Sequence, residues 1–518
     1  MKSFNTYGPC RPEDHYMLPA AERLPGVRGV IDRKIYFVLH APRQVGKTTA
    51  VMELARELTA EGRYTALLVT MEAGAAFNDD PGAAELAILG TWRRDAETHL
   101  PPELRPPAWP TAAPGERIHS ALWAWAQASP RPLVLFLDEI DSLEDEALIS
   151  VLRQLRAGHR NRPQSFPWSL ALIGLRDVRD YKVASSKEEG GSARLHTASP
   201  FNIKKSLTMA NFTPEEVAAL YRQHTAETSQ VFTPETLQRA FELTQGQPWL
   251  VNDLARESVE ELAPDPHTPI TIEILERAKE NLIQRQETHL DSLAEKLLEP
   301  RVRRVIEPML AGQVLSNVPQ DDIRYVIDLG LARTTNGSSL EIANPIYREV
   351  IPRALAGTAQ ASLPRIKPDW LDVGGSLNAG KLLESFLKFW RQHGQPLLGS
   401  APYHEIAPHL VMMAFLHRVV NGGGTLEREY AIGRGRMDLC LRCGDVTLAM
   451  ELKVWRDGRP DPLNEGLSQL DERLGGLGLD TGWLVIFDQR SGLPDISERT
   501  TTETATTPSG RMVTVIRG

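Results

Sequence analysis

The chain has 518 residues, 42% hydrophobic and 24% charged, an ordinary globular balance with room for about three or four domains. Its formal net charge of -9 excludes a global basic field for nucleic acid and leaves that role to local patches. No run of about 18 apolar residues and no apolar signal core occurs, which predicts a cytoplasmic protein with no membrane partner.

Residues 1–30 form a Pro-rich lead-in. Ile35–Leu39 then reads as a buried strand. A tight loop follows, Ala41-Pro42-Arg43-Gln44-Val45-Gly46-Lys47-Thr48-Thr49, and Val51–Leu58 carries apolar residues at helical spacing. Strand, loop and helix in this order make a phosphate-binding motif credible. The loop offers backbone N–H groups and the helix its positive dipole end to a polyphosphate. Gly46 allows close backbone approach, Lys47 reaches the β- and γ-phosphates, and the Thr48 hydroxyl ligates Mg²⁺. Ala41 stands where the first glycine of such loops is usual, a small change that nucleotide binding should survive. Ala41, Gly46, Lys47, Thr48 and Thr49 are thus the expected cradle of ATP.

Tyr64–Met71 reads as a second buried strand. Asn78–Pro114, broken by prolines, reads as a surface excursion with one helical piece around Ala84–His99, and the helix Glu116–Gln127 follows. Pro132–Leu143 is the second strong signal: an apolar strand ending in Asp138 and Glu139. Asp138 is placed to hold Mg²⁺ through water and Glu139 to polarise the attacking water. Successive strand side chains point oppositely, so the strand end must bend for both to serve one site. Trp168–Asp177 reads as a further strand with a polar tip, where Arg176 or Asp177 could sense the γ-phosphate. Arg176 and Arg179 are also candidates for an arginine supplied between copies of a homo-oligomer. Ile203–Met209 is a candidate fifth strand.

From Asn211 the pattern turns helical, opening with the capping box Thr213-Pro214-Glu215-Glu216. Gly246-Gln247-Pro248 starts another helix. Residues 287–355 combine short helices with two extended pieces, Val326–Arg333 and Leu340–Asn344, around Asn336-Gly337, the pattern of a winged helix. The acidic Gln320–Tyr325 does not suit DNA phosphates, which favours a structural or lid-packing role. Ala356–Gly375 reads as a linker.

The last part holds a second constellation. Gly444-Asp445 is a two-residue hairpin turn, so Cys443 pairs with Val446 and, further back, Asp438 with Glu451. One face then carries Leu439, Leu441, Val446, Leu448, Met450 and Leu452, a core face by period-two alternation. The other carries Asp438, Cys440, Arg442, Thr447, Ala449, Glu451 and Lys453. Two carboxylates about 5 Å apart repel unless a cation lies between them, and Mg²⁺ favours such oxygens. Cys440-x-x-Cys443 lacks the second ligand pair of a zinc site, and with Cys10 makes no disulfide framework.

These motifs support two resemblances. The first 350 residues or so resemble prokaryotic AAA-like or STAND-like P-loop ATPases, which implies ATP and Mg²⁺ as cofactors. It also implies a lid in which Pro248 lies against the nucleotide, and a lead-in that packs near the adenine through His15, Tyr16 or Arg23, unless these only pack. The last 140 or so resemble a PD-(D/E)XK nuclease, with Met437 in place of the proline. That resemblance implies Asp438 and Glu451 as Mg²⁺ ligands, Lys453 as the residue that positions or activates water, and Gln469 and Glu405 in support. Arg434, Arg436 and Arg442 could hold phosphates, with DNA the expected nucleic-acid partner. The pairing of the two resembles bacterial proteins inferred to act in defence or mobile-element biology.

The expected fold is α/β: a P-loop NTPase core (1–210), a helical lid (211–286), a winged-helix-like region (287–355), a linker (356–375) and an α/β restriction-endonuclease-like domain (376–518). The expected function is an ATPase that controls a metal-dependent nuclease. The alternative is a nucleotide-dependent switch or scaffold whose last domain binds DNA or protein without cleavage.

Overall fold

The computed structural model describes residues 2–19, 23–175, 183–184, 195–196, 205–285, 295–310, 315, 318–335, 339–362, 370–372, 376–400, 407–420, 424–431 and 436–518. The chain divides into two compact units, Met1–Leu282 with Ile327–Leu331, and Ile283–Val326 with Ala332–Gly518.

In the first unit five strands form one sheet: β1 Phe37–His40, β2 Thr65–Thr70, β3 Leu133–Asp138, β4 Ser169–Gly174 and β5 Lys205–Thr208, in the order β2-β3-β4-β1-β5. All four pairings are parallel, so the carboxyl ends of the strands line up on one edge, where open α/β sheets bind ligands. Residues of β3 alternate between two cores. Val134 and Phe136 pack with Val51, Leu54 and Leu58 of α1 (Lys47–Ala60). Leu133, Leu135 and Leu137 face the opposite layer.

That opposite layer corrects one expectation. The stretch read as a surface excursion contributes α2 (Pro81–His99), and its Ile88, Trp92 and Ala96 are buried against the sheet with Trp125 of α3 (Arg117–Ala128). Their spacing puts them on one helical face, and the Trp92 indole N–H donates to the Thr70 carbonyl at 3.1 Å. The many prolines mark the ends of this element rather than its exposure.

The helices beyond the sheet are capped by their own sequence. α4 (Pro214–Thr228) opens on Thr213, whose hydroxyl accepts from Glu216 N–H at 3.2 Å while the Glu216 carboxylate accepts from Thr213 N–H at 2.7 Å. Thr213→Ala should therefore destabilise this unit by about 1 kcal/mol, read as a lower urea midpoint at unchanged slope. α5 (Pro234–Thr244) and α6 (Pro248–Arg256) follow, the latter capped by the Gln247 side chain accepting from Leu250 N–H at 2.6 Å. The segment Ile327–Leu331 rejoins this unit much later in the chain. A Cβ placed on its Gly330 would lie 2.9 Å from Pro42 Cβ, so only glycine lets this turn pack on the phosphate loop.

The helix α7 (Gln320–Asp328), of which Gln320–Val326 belong to the second unit, includes Val326, where the sequence reading expects an extended piece to begin. Tyr325 and Val326 are buried on one side of it, and that burial settles the conformation. The antiparallel hairpin β6 (Ala332–Thr335) and β7 (Ser339–Ile342) follows; Asn336-Gly337 lies outside the described residues. α8 (Pro345–Ser362) remains helical past Ala356, where composition suggests a linker. The main sheet of this unit joins β8 (Gly424–Ala431), β9 (Arg436–Cys443), β10 (Val446–Trp455), β11 (Gly482–Asp488), β12 (Thr501–Thr506) and β13 (Met512–Arg517) in the order β8-β9-β10-β11-β13-β12.

The turn at Gly444-Asp445 sets the register of β9 and β10 as the sequence predicts, Cys443 opposite Val446 and Asp438 opposite Glu451. The two-face reading needs amendment. Leu439, Leu441, Leu448, Met450 and Leu452 are buried, but so are Cys440, Ala449 and Glu451. β10 and β11 run parallel, and the connection between them includes α9 (Leu463–Leu477). Its Leu467, Leu470 and Leu474 cover Ala449 with Leu484 and Ile486. A crossover helix thus covers the second face of the hairpin at Ala449.

Candidate functional sites: a phosphate loop and a buried carboxylate–lysine pair

The phosphate loop sits between β1 and α1 at the carboxyl edge of the first sheet. Gly46 has φ 87°, the left-handed conformation in which glycine alone is unstrained. Ala41 is buried in the core beside Val45, which explains why a methyl group is accepted there. The Lys47 ammonium donates to the Ala41 and Pro42 carbonyls, both at 2.7 Å. Burial pushes its pKa down to about 8, against the opposing pull of Asp138 and Asp141. An ammonium so buried gains from any polyanion placed beside it.

The Thr48 hydroxyl donates to Asp138 Oδ2 at 2.8 Å. Burial raises the Asp138 carboxyl above its ordinary range, opposed by the Thr48 bond and by Lys47. A hydroxyl and a carboxylate side by side are the oxygen donors that Mg²⁺ takes, so these residues fit the ion. Glu139 follows with φ 55° and ψ 39°, a left-handed backbone that costs a non-glycine residue of order 1–3 kcal/mol. This is the bend the strand end requires: it brings Glu139 to the same site as Asp138, and the Asp138 carboxylate accepts from Glu139 N–H at 3.0 Å. The Thr70 hydroxyl donates to Glu139 Oε2 at 3.2 Å. Glu139 is pushed up to about 7, first by burial and then by the neighbouring charges of Glu72 and Asp138.

A cavity of about 830 Å³ runs from Lys47 and Thr48 to Pro248 and Trp249. The lead-in closes part of it: Cys10 N–H donates to the Thr49 hydroxyl at 3.0 Å. Arg23 lies over the Phe212 ring at 4.6 Å and donates to the Ala210 carbonyl at 2.7 Å. Tyr16 packs on Phe4 at the cavity wall, whereas His15 accepts from Arg11 N–H away from the cavity lining. Thr70, Glu72 and Asp141 were not singled out from sequence. Thr70 ends β2 in register with Asp138, a pairing that only the folded sheet sets. Arg176, Asp177 and Arg179 lie outside the described residues.

A family model described as an AAA-like domain matches residues 124–348. One described as ATPase family associated with various cellular activities (AAA) matches residues 37–168, from β1 through Asp138 and Glu139.

The chain carries an AAA-type P-loop ATPase domain.

No curated protein matches the chain. Among solved structures it is similar to a Walker-type ATPase of Pyrococcus abyssi, at 13% identity over 67% of this chain and 99% of that one, with a TM-score of 0.47. It is also similar to the RuvB Holliday junction branch migration motor of Thermotoga maritima (14% identity, 64% and 92% covered, TM-score 0.34). A third is Cdc6p from Pyrobaculum aerophilum (14% identity, 64% and 93% covered, TM-score 0.35).

Outside the AAA-type domain, the second unit holds a charged cluster at the carboxyl end of β10. Glu451 is fully buried, and the Lys453 ammonium lies 3.0 Å from its Oε1 and 3.4 Å from Glu465 Oε1. Lys453 also donates to Gln469 Oε1, and Gln469 Nε2 donates to Glu465 Oε1 at 3.0 Å. Of the residues expected there, Glu451, Lys453 and Gln469 therefore meet, and Glu465 joins them unforeseen because it lies one turn before Gln469 on α9. The Lys453 ammonium sets a positive charge beside the Glu451 carboxylate. The Asp438 backbone stands opposite Glu451 on β9; its side chain and that of Arg436 are outside the description, as are Glu405 and Arg434. Arg442 is exposed near the turn, at the other end of the hairpin.

No described helix is long and apolar enough to cross a membrane.

Proposed function

We propose that the protein hydrolyses ATP and uses the nucleotide cycle to control a metal-dependent, nuclease-like site in its second unit. In this reading Lys47 holds the β- and γ-phosphates, Thr48 and Asp138 place the Mg²⁺, and Glu139 takes the proton of the attacking water while Thr70 orients its carboxylate. Pro248 and the lead-in enclose the nucleoside, and Arg176 senses the γ-phosphate. ATP with Mg²⁺ supplies the phosphoryl chemistry; the chain supplies positioning, charge and exclusion of water. In the second unit Asp438 and Glu451 hold a divalent cation that polarises a phosphodiester, and Lys453, steadied by Gln469, orients water. DNA is the expected substrate, and a homo-oligomer is the expected assembly.

The observation that carries the nuclease reading is the register that sets Asp438 opposite Glu451, with Lys453 two residues further on the same face. Purified protein with Mg²⁺ or Mn²⁺ should cut at least one DNA form, with a rate that changes on adding ATP. Asp438→Asn should lose cleavage and keep ATP hydrolysis. Cleavage that persists in that variant would remove the assignment. No cleavage of linear, nicked or single-stranded DNA under either metal would leave the second unit a binding module.

A further inference from the structure

We infer that Trp92 is a positioning residue for ATP hydrolysis: it anchors Thr70 and, through Thr70, holds the carboxylate of Glu139; this rests on the ATPase reading above. β2 lies at the edge of its sheet, paired with β3. Thr65 N–H donates to the Pro132 carbonyl and Met71 N–H to the Asp138 carbonyl. The odd-numbered residues of this strand therefore turn their backbone groups to β3, and Ala66, Leu68 and Thr70 turn theirs away. A residue facing outward on an edge strand has no ladder to hold it, yet Thr70 is the residue that orients Glu139.

Side chains of the flanking helices supply what a neighbouring strand would. At Ala66 the Thr59 hydroxyl of α1 accepts from the N–H and donates to the carbonyl, both at 3.0 Å. At Thr70 the fully buried Trp92 of α2 donates its indole N–H to the carbonyl at 3.1 Å. Asp95, one turn further along α2, accepts from the N–H of the same residue; burial raises its carboxyl, opposed by His99 and by this bond.

The anchor matters because Thr70 has little freedom beyond its backbone. A β-branched side chain is stiff at χ1, so a held backbone holds the hydroxyl. That oxygen accepts from Glu72 N–H at 3.1 Å, which leaves its own hydrogen for Glu139 Oε2 at 3.2 Å. Indole, carbonyl, hydroxyl and carboxylate thus run in sequence from α2 to the base. Small misplacement of a catalytic group costs rate. Glu139 acts on the attacking water, so the loss falls on kcat and spares nucleotide binding.

The test is steady-state ATP hydrolysis and equilibrium ATP binding by the full chain, with urea unfolding of each variant. Trp92→Phe keeps an aromatic ring and removes the N–H. It should lower kcat by about five- to tenfold, the scale of one lost hydrogen bond, and leave ATP affinity within about twofold. Asp95→Ala should act in the same direction. In a Thr70→Val background, itself slow, Trp92→Phe should cause no further loss of kcat, because it acts through the hydroxyl that valine lacks. Thr59→Val loosens the same strand at Ala66 and should leave kcat at the wild-type level. An unchanged kcat in Trp92→Phe, an equal loss in Thr59→Val, or a full further loss in the Thr70→Val background would overturn the assignment. If Trp92→Phe does not fold, Asp95→Ala and its combination with Thr70→Val decide the matter by the same criteria. A wild type that hydrolyses no ATP would instead refute the ATPase reading, and the role of Trp92 with it.

Discussion

Glu139→Gln should slow ATP hydrolysis by about two to four orders of magnitude while ATP affinity changes little. General-base catalysis by a placed carboxylate is worth that factor. The amide keeps the size of the side chain and its bond from Thr70, but cannot take a proton. The left-handed backbone at Glu139 supports the same expectation: strain of this kind persists where the surrounding structure holds a residue for a task. The pH profile should separate base from bystander. With its pKa at about 7, Glu139 is largely protonated on the acid side of neutrality. The wild-type rate should therefore rise with pH through that region, and bound Mg²⁺ should move the rise to lower pH by favouring the carboxylate. The Gln variant should lack this limb. Single-turnover hydrolysis and equilibrium nucleotide binding, measured on the same samples, check both parts. A variant that hydrolyses at a wild-type rate would remove Glu139 from the reaction.

Lys453→Ala should destabilise the second unit by about 3–5 kcal/mol, the effect of breaking a buried ion pair from one side. Glu451 is fully buried with the ammonium at 3.0 Å, and the substitution removes that positive charge. The double variant Glu451→Gln with Lys453→Met should recover most of the loss, since uncharged groups of similar size carry no comparable desolvation penalty. Urea unfolding of the single and double variants measures this. A single variant that loses less than about 1 kcal/mol would show that the pair behaves as an exposed one. The same physics bears on cleavage assays. Loss of activity in Lys453→Ala mixes chemistry with folding, which is why Asp438→Asn is the sharper functional test.

The phosphate loop, the strand ending in Asp138-Glu139 and the hairpin register were all legible in sequence, because each depends on neighbours a few residues apart. Gly46 and Lys47 declare themselves by position between an apolar strand and a helical period. The Gly444-Asp445 turn fixes every pair behind it, so Asp438 falls opposite Glu451 without any long-range knowledge. The errors came where distant segments decide the environment. α2 is rich in flanking prolines, yet Ile88 and Trp92 are core residues because the sheet lies beneath them. Alternation marks only one core face of the hairpin, yet Ala449 on the other face is buried because α9 packs on it. Val326 has the composition of a strand and belongs to a helix because that helix buries it. Thr70 and Glu72 share the same cause: each comes to the site only through the groups that folding sets beside it.

The turn at Gly330 makes the ATPase unit discontinuous in sequence. Ile327–Leu331 belongs with Met1–Leu282, while the residues on either side of it do not. Gly330 rests against Pro42, in the loop that Lys47 completes. A protein cut after Leu282 would therefore lack one of its own parts, and the missing part is a piece of the wall behind the phosphate loop. Dissection of this molecule into a free-standing ATPase thus calls for a graft rather than a truncation: the turn has to be carried back and joined to the first segment.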